Sequence, residues 1–459
     1  MRLAVPGDVV ELCQRLRAAG FEAWLVGGAV RDLLRGKAAK DFDVATSADP
    51  AAVTKVFGRK RTIPTGEKHG TVTVLTERDG VRQPVEVTTY RGEGAYTDGR
   101  RPDEVVFVRT LDEDLKRRDF TMNAIAYDPL ADTLADPYGG QADLAAGVIR
   151  AVGAPLERFR EDGLRAMRAV RFAAQHEFAI DPATEQAIPD ALDVFDKVSA
   201  ERVRDELLKI LCAPKPSIGL ELMRTTGLLE HTIPELLEGV GMHQNRFHKH
   251  DVWHHTLAAV DASVVGGDPP WLVRFAALLH DVAKPRTAAP KEDSPAENTF
   301  YRHEQVGADM TDAIARRLKL STEERETLVN LVGNHMFWYT PEWSDGTVRR
   351  FLSRVGVEHI DALFALRAGD VRARGQGEEP GSEIDELRAR IANEIAKEAA
   401  LKITDLAVGG ADVMEVLACK PGPNIGEVLR ALLERVLDDS SLNERDTLRA
   451  LIPEVARRS

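Results

Sequence analysis

The sequence predicts an α+β chain: a head of short strands and helices, then a long all-helical body. Three observations carry that prediction. β-rich runs crowd the first 150 residues or so, and strand signals nearly vanish beyond about residue 155. Chemistry-bearing motifs follow a strand–turn–helix order in the first part and sit on helical patterns in the second. At 459 residues the chain is too long for one core. We divide it into a head (1–150), a helical neck (151–240), a metal-binding body (241–375) and a helical tail (376–459).

The elements follow in order. "GDVVELCQRLRAAG" reads as a short amphipathic helix starting after Pro6. "FEAWLV", "HGTVTVL", "PVEVTTY" and "EVVFV" alternate or run apolar, as strands do. "GGAVRDLLRG" and "LKRRDFTMNAIA" read as helical, and "EDGLRAMRAVRF" reads as one helix with Asp162 leading Arg165, Arg168 and Arg171. "TYRGEGAYTDGRRPDEVVF" suggests a mobile surface loop. "TAAPKEDSPAEN" reads as a loop and "RGQGEEPGSEIDEL" as an acidic connector. "CKPGPNIGEVL" reads as a turn that starts a helix.

Composition sets bounds. Charged residues at 29% and hydrophobic ones at 43% are ordinary for a soluble protein. No apolar run reaches membrane-spanning length, and the N-terminus lacks the apolar core of an export signal. Cys13, Cys212 and Cys419 are too scattered for a disulfide framework or a zinc site, which suits a cytoplasmic location. A net charge of −13 argues against a generic nucleic-acid coat but leaves room for a local basic groove.

Two features of the head point to phosphate chemistry. In "WLVGGAVRDLL" the strand gives way to Gly27-Gly28 and then to a helix, an arrangement that lets backbone N–H groups approach an anion within reach of Arg31. A plain tight turn with an exposed arginine is the alternative. In "KDFDVAT" a strand would place Asp41 and Asp43 on one face and Phe42 in the core. Paired carboxylates repel unless a cation lies between them, and oxygen ligands of this kind suit Mg²⁺. The pair points to phosphoryl or nucleotidyl transfer, with Glu86 of "PVEVTTYR" as a third carboxylate or an ordinary edge-strand residue.

"LVGGAVRDLLRG…KDFDVAT", "LKRRDFTMNAIAYDP", "EDGLRAMRAVRF" and "ERVRDELLKIL", in that order and spacing, resemble the class II tRNA nucleotidyltransferase and poly(A) polymerase family of the polymerase-beta superfamily. The motifs cover about the first half of the chain. The resemblance implies that Gly27, Gly28 and Arg31 hold the triphosphate of CTP or ATP, and that Asp41 and Asp43 hold Mg²⁺. It implies that Arg118 and Asp119 contact sugar and phosphates, with Arg117 a neighbour that is either functional or merely solvated. Asp162 and Arg165 would read the Watson–Crick edge of cytosine or adenine, whose exocyclic amine beside a ring nitrogen uracil and guanine do not present. Arg168 and Arg171 would lie near the phosphates or in the core of the neck. A salt-bridge row on an exposed helix is the alternative for all four. The implied partner is tRNA, and the implied reaction is addition of its 3′-terminal CCA.

In the body, "DVWHHTLAAVD", "FAALLHDVAKP", "YRHEQVGADM", "VGNHMF" and "LRAGDVRARG" resemble the HD superfamily of metal-dependent phosphohydrolases. The resemblance implies a divalent-metal ligand set of His255, His280, Asp281 and Asp370, with His303 and His335 as ligands of a second metal. His254 has the opposite helical direction and is set aside. His243, His248 and His250 read as loop residues or RNA contacts. Two other functions compete. A poly(A) polymerase would share every head motif but carries a strongly basic tail, whereas "EVARRS" here follows an acidic stretch. An HD phosphohydrolase with a vestigial head would leave the head motifs idle. The oligomeric state is not legible.

Overall fold

A computed structural model describes residues 2–66, 69–92, 107–244, 249–263, 271–291, 294–375, 381–397 and 400–457. The chain forms two compact units, Met1–Leu237 and Glu238–Ser459.

The first unit is built on a seven-stranded mixed sheet. Its strands are β1 (Ala23–Val26), β2 (Asp43–Thr46), β3 (Thr62–Gly66), β4 (Thr71–Arg78), β5 (Val81–Thr89), β6 (Ala126–Asp128) and β7 (Thr133–Ala135), in the spatial order β3-β4-β5-β2-β1-β6-β7. β1 runs antiparallel to β2 and β6, whereas β2 pairs with β5 in parallel. Val85 and Val87 are buried on one face of β5 while Glu86 between them is exposed. A one-residue slip would exchange the faces and expose both valines, at about 1.5–3 kcal/mol each, so the register is fixed. That register sets Asp43 opposite Glu86. Helices α1 (Gly7–Ala18), α2 (Gly28–Leu34) and α3 (Pro50–Phe57) supply Val9, Leu12, Val30, Leu33 and Val53 to the core of Leu25, Val44, Val72 and Val74. α1 begins directly after Pro6, as its sequence predicts.

Three expected elements are divided differently. "LKRRDFTMNAIA" is not one helix: α4 (Leu111–Lys116) ends before Arg117, a 3-10 turn spans Thr121–Asn123, and β6 begins at Ala126. The apolar residues here serve a strand and a turn as well as a helix, so one helical period does not hold them. α5 (Gly140–Ala146) follows. "EDGLRAMRAVRF" is likewise broken, between α6 (Pro155–Glu161) and α7 (Leu164–His176). Asp162 is extended at φ −150°, and Gly163 packs so close to the next segment that a Cβ there would lie 2.7 Å from Phe195 backbone. Asp162 therefore stands at the break and does not lead a continuous row. β2 begins at Asp43, which leaves Asp41 exposed in the bend before it, with Phe42 buried as expected.

The second unit is mainly helical. Helices Val252–Ala262, Trp271–Leu279, His303–Arg317, Thr322–Asn334 and Ile360–Ala373 carry its histidines and aspartates or pack beside them. The stretch read as the loop "TAAPKEDSPAEN" instead contains a hairpin of Ala289–Lys291 and Ser294–Thr299, an antiparallel pair that polar composition hid. Part of the acidic connector is helical from Ser382, and Pro423 starts a helix as predicted. Leu406, Val413, Leu432, Val436, Leu448 and Ile452 form a separate core in the tail. The expected mobile loop and the strand "EVVFV" fall mostly within 93–106, outside the described residues, as does His248.

Candidate active site

The β1–α2 turn is shaped by Gly27, which has φ +72°. A Cβ there would lie 3.3 Å from Arg118 Nη1 and 3.5 Å from Asp43 Oδ2, and the left-handed φ itself favours glycine at this turn. Arg31 faces the same cavity but is already tied down. Its Nη1 donates to Asn123 Oδ1 at 3.0 Å, its Nε donates to Asp32 at 2.9 Å, and its guanidinium lies 5.3 Å from the Phe172 ring.

Asp43 is half-buried beside Glu86. Burial and then the Glu86 charge push its carboxyl up to about 6, against the pull of Arg118, and Asp41 adds a smaller push. A cation beside the two carboxylates would relieve this cost. The Glu86 placement favours the third-carboxylate reading over that of an ordinary edge residue.

The arginines of α7 do not confront one another, because each has its own carboxylate. Arg165 Nη1 lies 2.5 Å from Glu161, Arg168 Nε donates to Asp119 at 2.8 Å, and Arg171 Nε lies 2.6 Å from Glu206 on the helix Ala200–Leu211. Asp119 also accepts from Asn123 Nδ2 at 3.0 Å. Burial opposes its charge, but Arg168 and Asn123 outweigh burial and hold it well below the usual carboxylate range. Burial lowers Arg171 to about 10 even beside Glu206.

Asp162 and Arg165 are held in fixed orientations. Asp162 accepts from the Leu164 amide at 3.1 Å and from Arg202 Nη2 at 2.7 Å. Arg165 donates to the carbonyls of Arg158 and Arg117 at 3.1 and 3.0 Å, as well as to Glu161. Those contacts use three of the five donors of a guanidinium.

Gly27, Gly28, seven arginines and the aspartates Asp43, Asp119 and Asp162 line one cavity of about 480 Å³. In an acidic chain, that excess of cations suits a polyanion. Asn123, Arg202 and Glu206 were missed as site residues although they lie inside the quoted motifs. The four-residue step from Asp119 to Asn123 was the available signal. Arg117, left open between two readings, lines the cavity and pairs with Asp114 at 2.9 Å.

The second unit gathers two triads whose ligand atoms lie within 4.8 Å of one another: His255, His280 and Asp370, and Asp281, His303 and His335. All six residues are buried. The Nδ1 atoms of His280, His303 and His335 each face a backbone carbonyl three residues earlier, at 2.7–2.8 Å. This contact fixes the proton on Nδ1 and turns the Nε2 lone pair inward. In the neutral ring, His280 Nε2 then faces Asp281 Oδ2 at 3.1 Å as acceptor against acceptor. Lys284 Nζ, 2.7 Å from the same Asp281 oxygen, offsets part of that repulsion, and the two triads of imidazole and carboxylate donors fit the divalent metals the resemblance implies. Burial would lower His280, but Asp281 and Asp370 raise it. Burial, then His280 and His303, push His335 down to about 3. His254 is exposed and bonded to Asp251 at 2.7 Å, away from the cluster.

Comparison with known proteins follows the same division. A family model described as the poly A polymerase head domain matches residues 23–150. One for a probable RNA and SrmB-binding site of polymerase A matches 177–239, and one for the HD domain matches 252–393. The nucleotidyltransferase and HD families are both metal-dependent. The CCA-adding enzyme of Geobacillus stearothermophilus is 35% identical over 97% of this chain and 96% of its own, and that of Lactiplantibacillus plantarum 34% over 95% and 93%. An A-adding tRNA nucleotidyltransferase of Deinococcus radiodurans is 38% identical over 90% and 91%. The Lactobacillus johnsonii enzyme, 49% identical, is matched over 53% of its length. A crystal structure of the Bacillus stearothermophilus CCA-adding enzyme with CTP superposes at a TM-score of 0.71, with 32% identity over 98% of this chain and 97% of that one. With such likeness over nearly its whole length, and with its GG turn, Asp43 and α7 arginines meeting in one cavity, the chain belongs to the CCA-adding enzyme family of tRNA nucleotidyltransferases.

Proposed function

We propose that this chain adds or repairs the 3′-terminal CCA of tRNA from CTP and ATP, without a nucleic-acid template. The observation that carries the reading is the cationic cavity that joins Asp43 to Asp162 and Arg165. Gly27, Gly28, Arg31 and Arg118 face the triphosphate. Asp41 and Asp43, with Glu86 beside them, hold Mg²⁺, which would activate the RNA 3′-hydroxyl and neutralise the phosphates as pyrophosphate leaves. Asp119 with Arg168 and Arg171 sets the wall nearest the sugar.

Asp162 accepts from the exocyclic amine of the base, and the remaining two donors of Arg165 address its ring nitrogen or carbonyl. Their contacts with Arg202, Glu161 and two carbonyls pre-set both side chains, so a mismatched edge leaves polar groups unpaired at about 1–3 kcal/mol. Work on tRNA implies a cytoplasmic location, and no described helix is long and apolar enough to cross a membrane. The test is incubation with tRNA ending at the discriminator base, in C or in CC, each with CTP or ATP. CCA addition extends all three with the matching nucleotide, A-addition alone extends only the CC end, and poly(A) synthesis runs past the first A.

A second activity is supported by the inward-facing His280 Nε2 and the two triads. The body would act as a metal-dependent phosphohydrolase, with substrate entering a cavity of about 340 Å³ lined by Lys284, Lys291 and Arg374. Hydrolysis of a phosphomonoester or cyclic phosphate, lost in His280→Ala, is the measurement.

A further inference from the structure

One buried carboxylate in the first unit lies outside every role given so far. Asp114, in the last turn of α4, has a side chain only 1% exposed and is met by three separate donors. Arg117 donates from Nε and Nη2 to Oδ1 at 3.1 and 2.9 Å. Arg118 donates from Nη2 to Oδ2 at 3.1 Å. The amide of Arg91 donates to Oδ1 at 3.1 Å.

Two of these donors, Arg117 and Arg118, line the nucleotide cavity, and the third is tied to the strands beside it. Arg91 follows β5, the strand that carries Glu86, and its side chain bonds Thr71 on β4. Arg118, gripped at one end by Asp114, extends its other nitrogen over the Gly27 turn beside Asp43. An arginine has several rotatable bonds, and ordering such a side chain costs conformational entropy. A buried anion that fixes it beforehand removes that cost from the binding event.

We propose that Asp114 is a positioning residue for nucleotide binding, holding Arg118 over the Gly27 turn and locking the end of the Glu86 strand to it. The inference rests on the placement of the triphosphate beside Arg118 argued above. Asp114 touches no substrate and acts through Arg118.

The test compares KM and kcat for CTP on tRNA lacking CCA, and for ATP on tRNA ending in CC, using the full chain. Asp114→Asn keeps the shape and removes the charge. It raises both nucleotide KM values about tenfold, the worth of one charge-assisted hydrogen bond, while kcat changes far less. Asp114→Glu keeps the charge and falls between the two; it carries the test if the Asn form does not fold. Asp128→Asn, which breaks the pair between the buried Asp128 and the exposed Arg17 away from the cavity, lowers the Tm and leaves both KM values unchanged. Wild-type KM in Asp114→Asn, or an equal KM rise in Asp128→Asn, overturns the inference while the cavity assignment stands. Wild-type KM in Arg118→Lys removes the placement of the triphosphate, and the role of Asp114 with it.

Discussion

Asp43 and Glu86 are register partners on adjacent parallel strands, placed there by the burial of the valines around Glu86. Burial, followed by the neighbouring charge, lifts the Asp43 carboxyl to about 6. Glu86→Gln removes the like charge, so Asp43 titrates lower in the metal-free protein. A carboxyl-resolved NMR titration shows the direction. The same variant loses about 10²-fold or more in CTP transfer if Glu86 belongs to the metal-binding set. Asp41→Ala and Asp43→Ala each abolish transfer with the fold intact, and near-normal rates in either would remove the two-carboxylate assignment.

The acid limb of nucleotide addition follows from the same carboxyl. Its folded value lies above the ordinary carboxyl value of 3.8, so the folded head takes up a proton between those values that the unfolded chain does not. That uptake stabilises the head as pH falls through about 6 but blocks a cation ligand. Transfer therefore declines below about pH 6, and added Mg²⁺ shifts the decline to lower pH. A decline indifferent to Mg²⁺ would assign it elsewhere.

Arg165→Ala relaxes base choice more than it weakens nucleotide binding, because Arg165 stands with Asp162 while other arginines meet the phosphates. Incorporation of UTP and GTP, measured against CTP and ATP, rises. Unchanged rejection of both would sink the base-reading role.

Arg168→Ala acts on stability as well. It strands the Asp119 carboxylate, which then retains Asn123 but loses its charged partner. A charge-assisted hydrogen bond is worth about 1.5–3 kcal/mol, and thermal or urea unfolding reads the loss. Arg168→Lys recovers only part of it, since one ammonium does not reproduce two converging N–H groups.

In the body, His335 sits at about 3 while its unfolded value is 6.5. Between those limits the unfolded chain binds the extra proton, so this histidine's share of stability is lost as pH falls. Urea unfolding of chelator-treated protein gives a smaller acid-side loss in His335→Gln than in the parent. Metal binding competes with protons at His280 and weakens as pH falls; calorimetry in two buffers detects the released protons. His280→Ala abolishes metal binding at its triad and leaves CCA addition intact.

Much of the site was legible because its chemistry is local in sequence. The GG turn and the His280–Asp281 step each join strand or helix periodicity to a ligand pattern within a few residues, whereas Asp41 falls in the bend before β2 and only Asp43 lies on the strand. What escaped depends on distant segments. No local signal in "EDGLRAMRAVRF" says that Gly163 is pressed against Phe195, so one helix was read where two occur. Glu206 and Arg202 pair with α7 and Asp162 across about thirty-five to forty residues of chain, a relation that only folding creates. The hairpin after residue 288 was hidden because its polar strands lack the apolar alternation that marks a half-buried sheet.

The partnership of Asp119 with both Asn123 and Arg168 has a consequence for how the enzyme can change over generations. The bonds that hold the pocket's shape also fasten the 3-10 turn at Thr121–Asn123 to α7. Mutations that blunt nucleotide binding by disturbing this wall will therefore first surface as heat-sensitive alleles. Selection for growth at high temperature would then purge such enzymes without testing their binding.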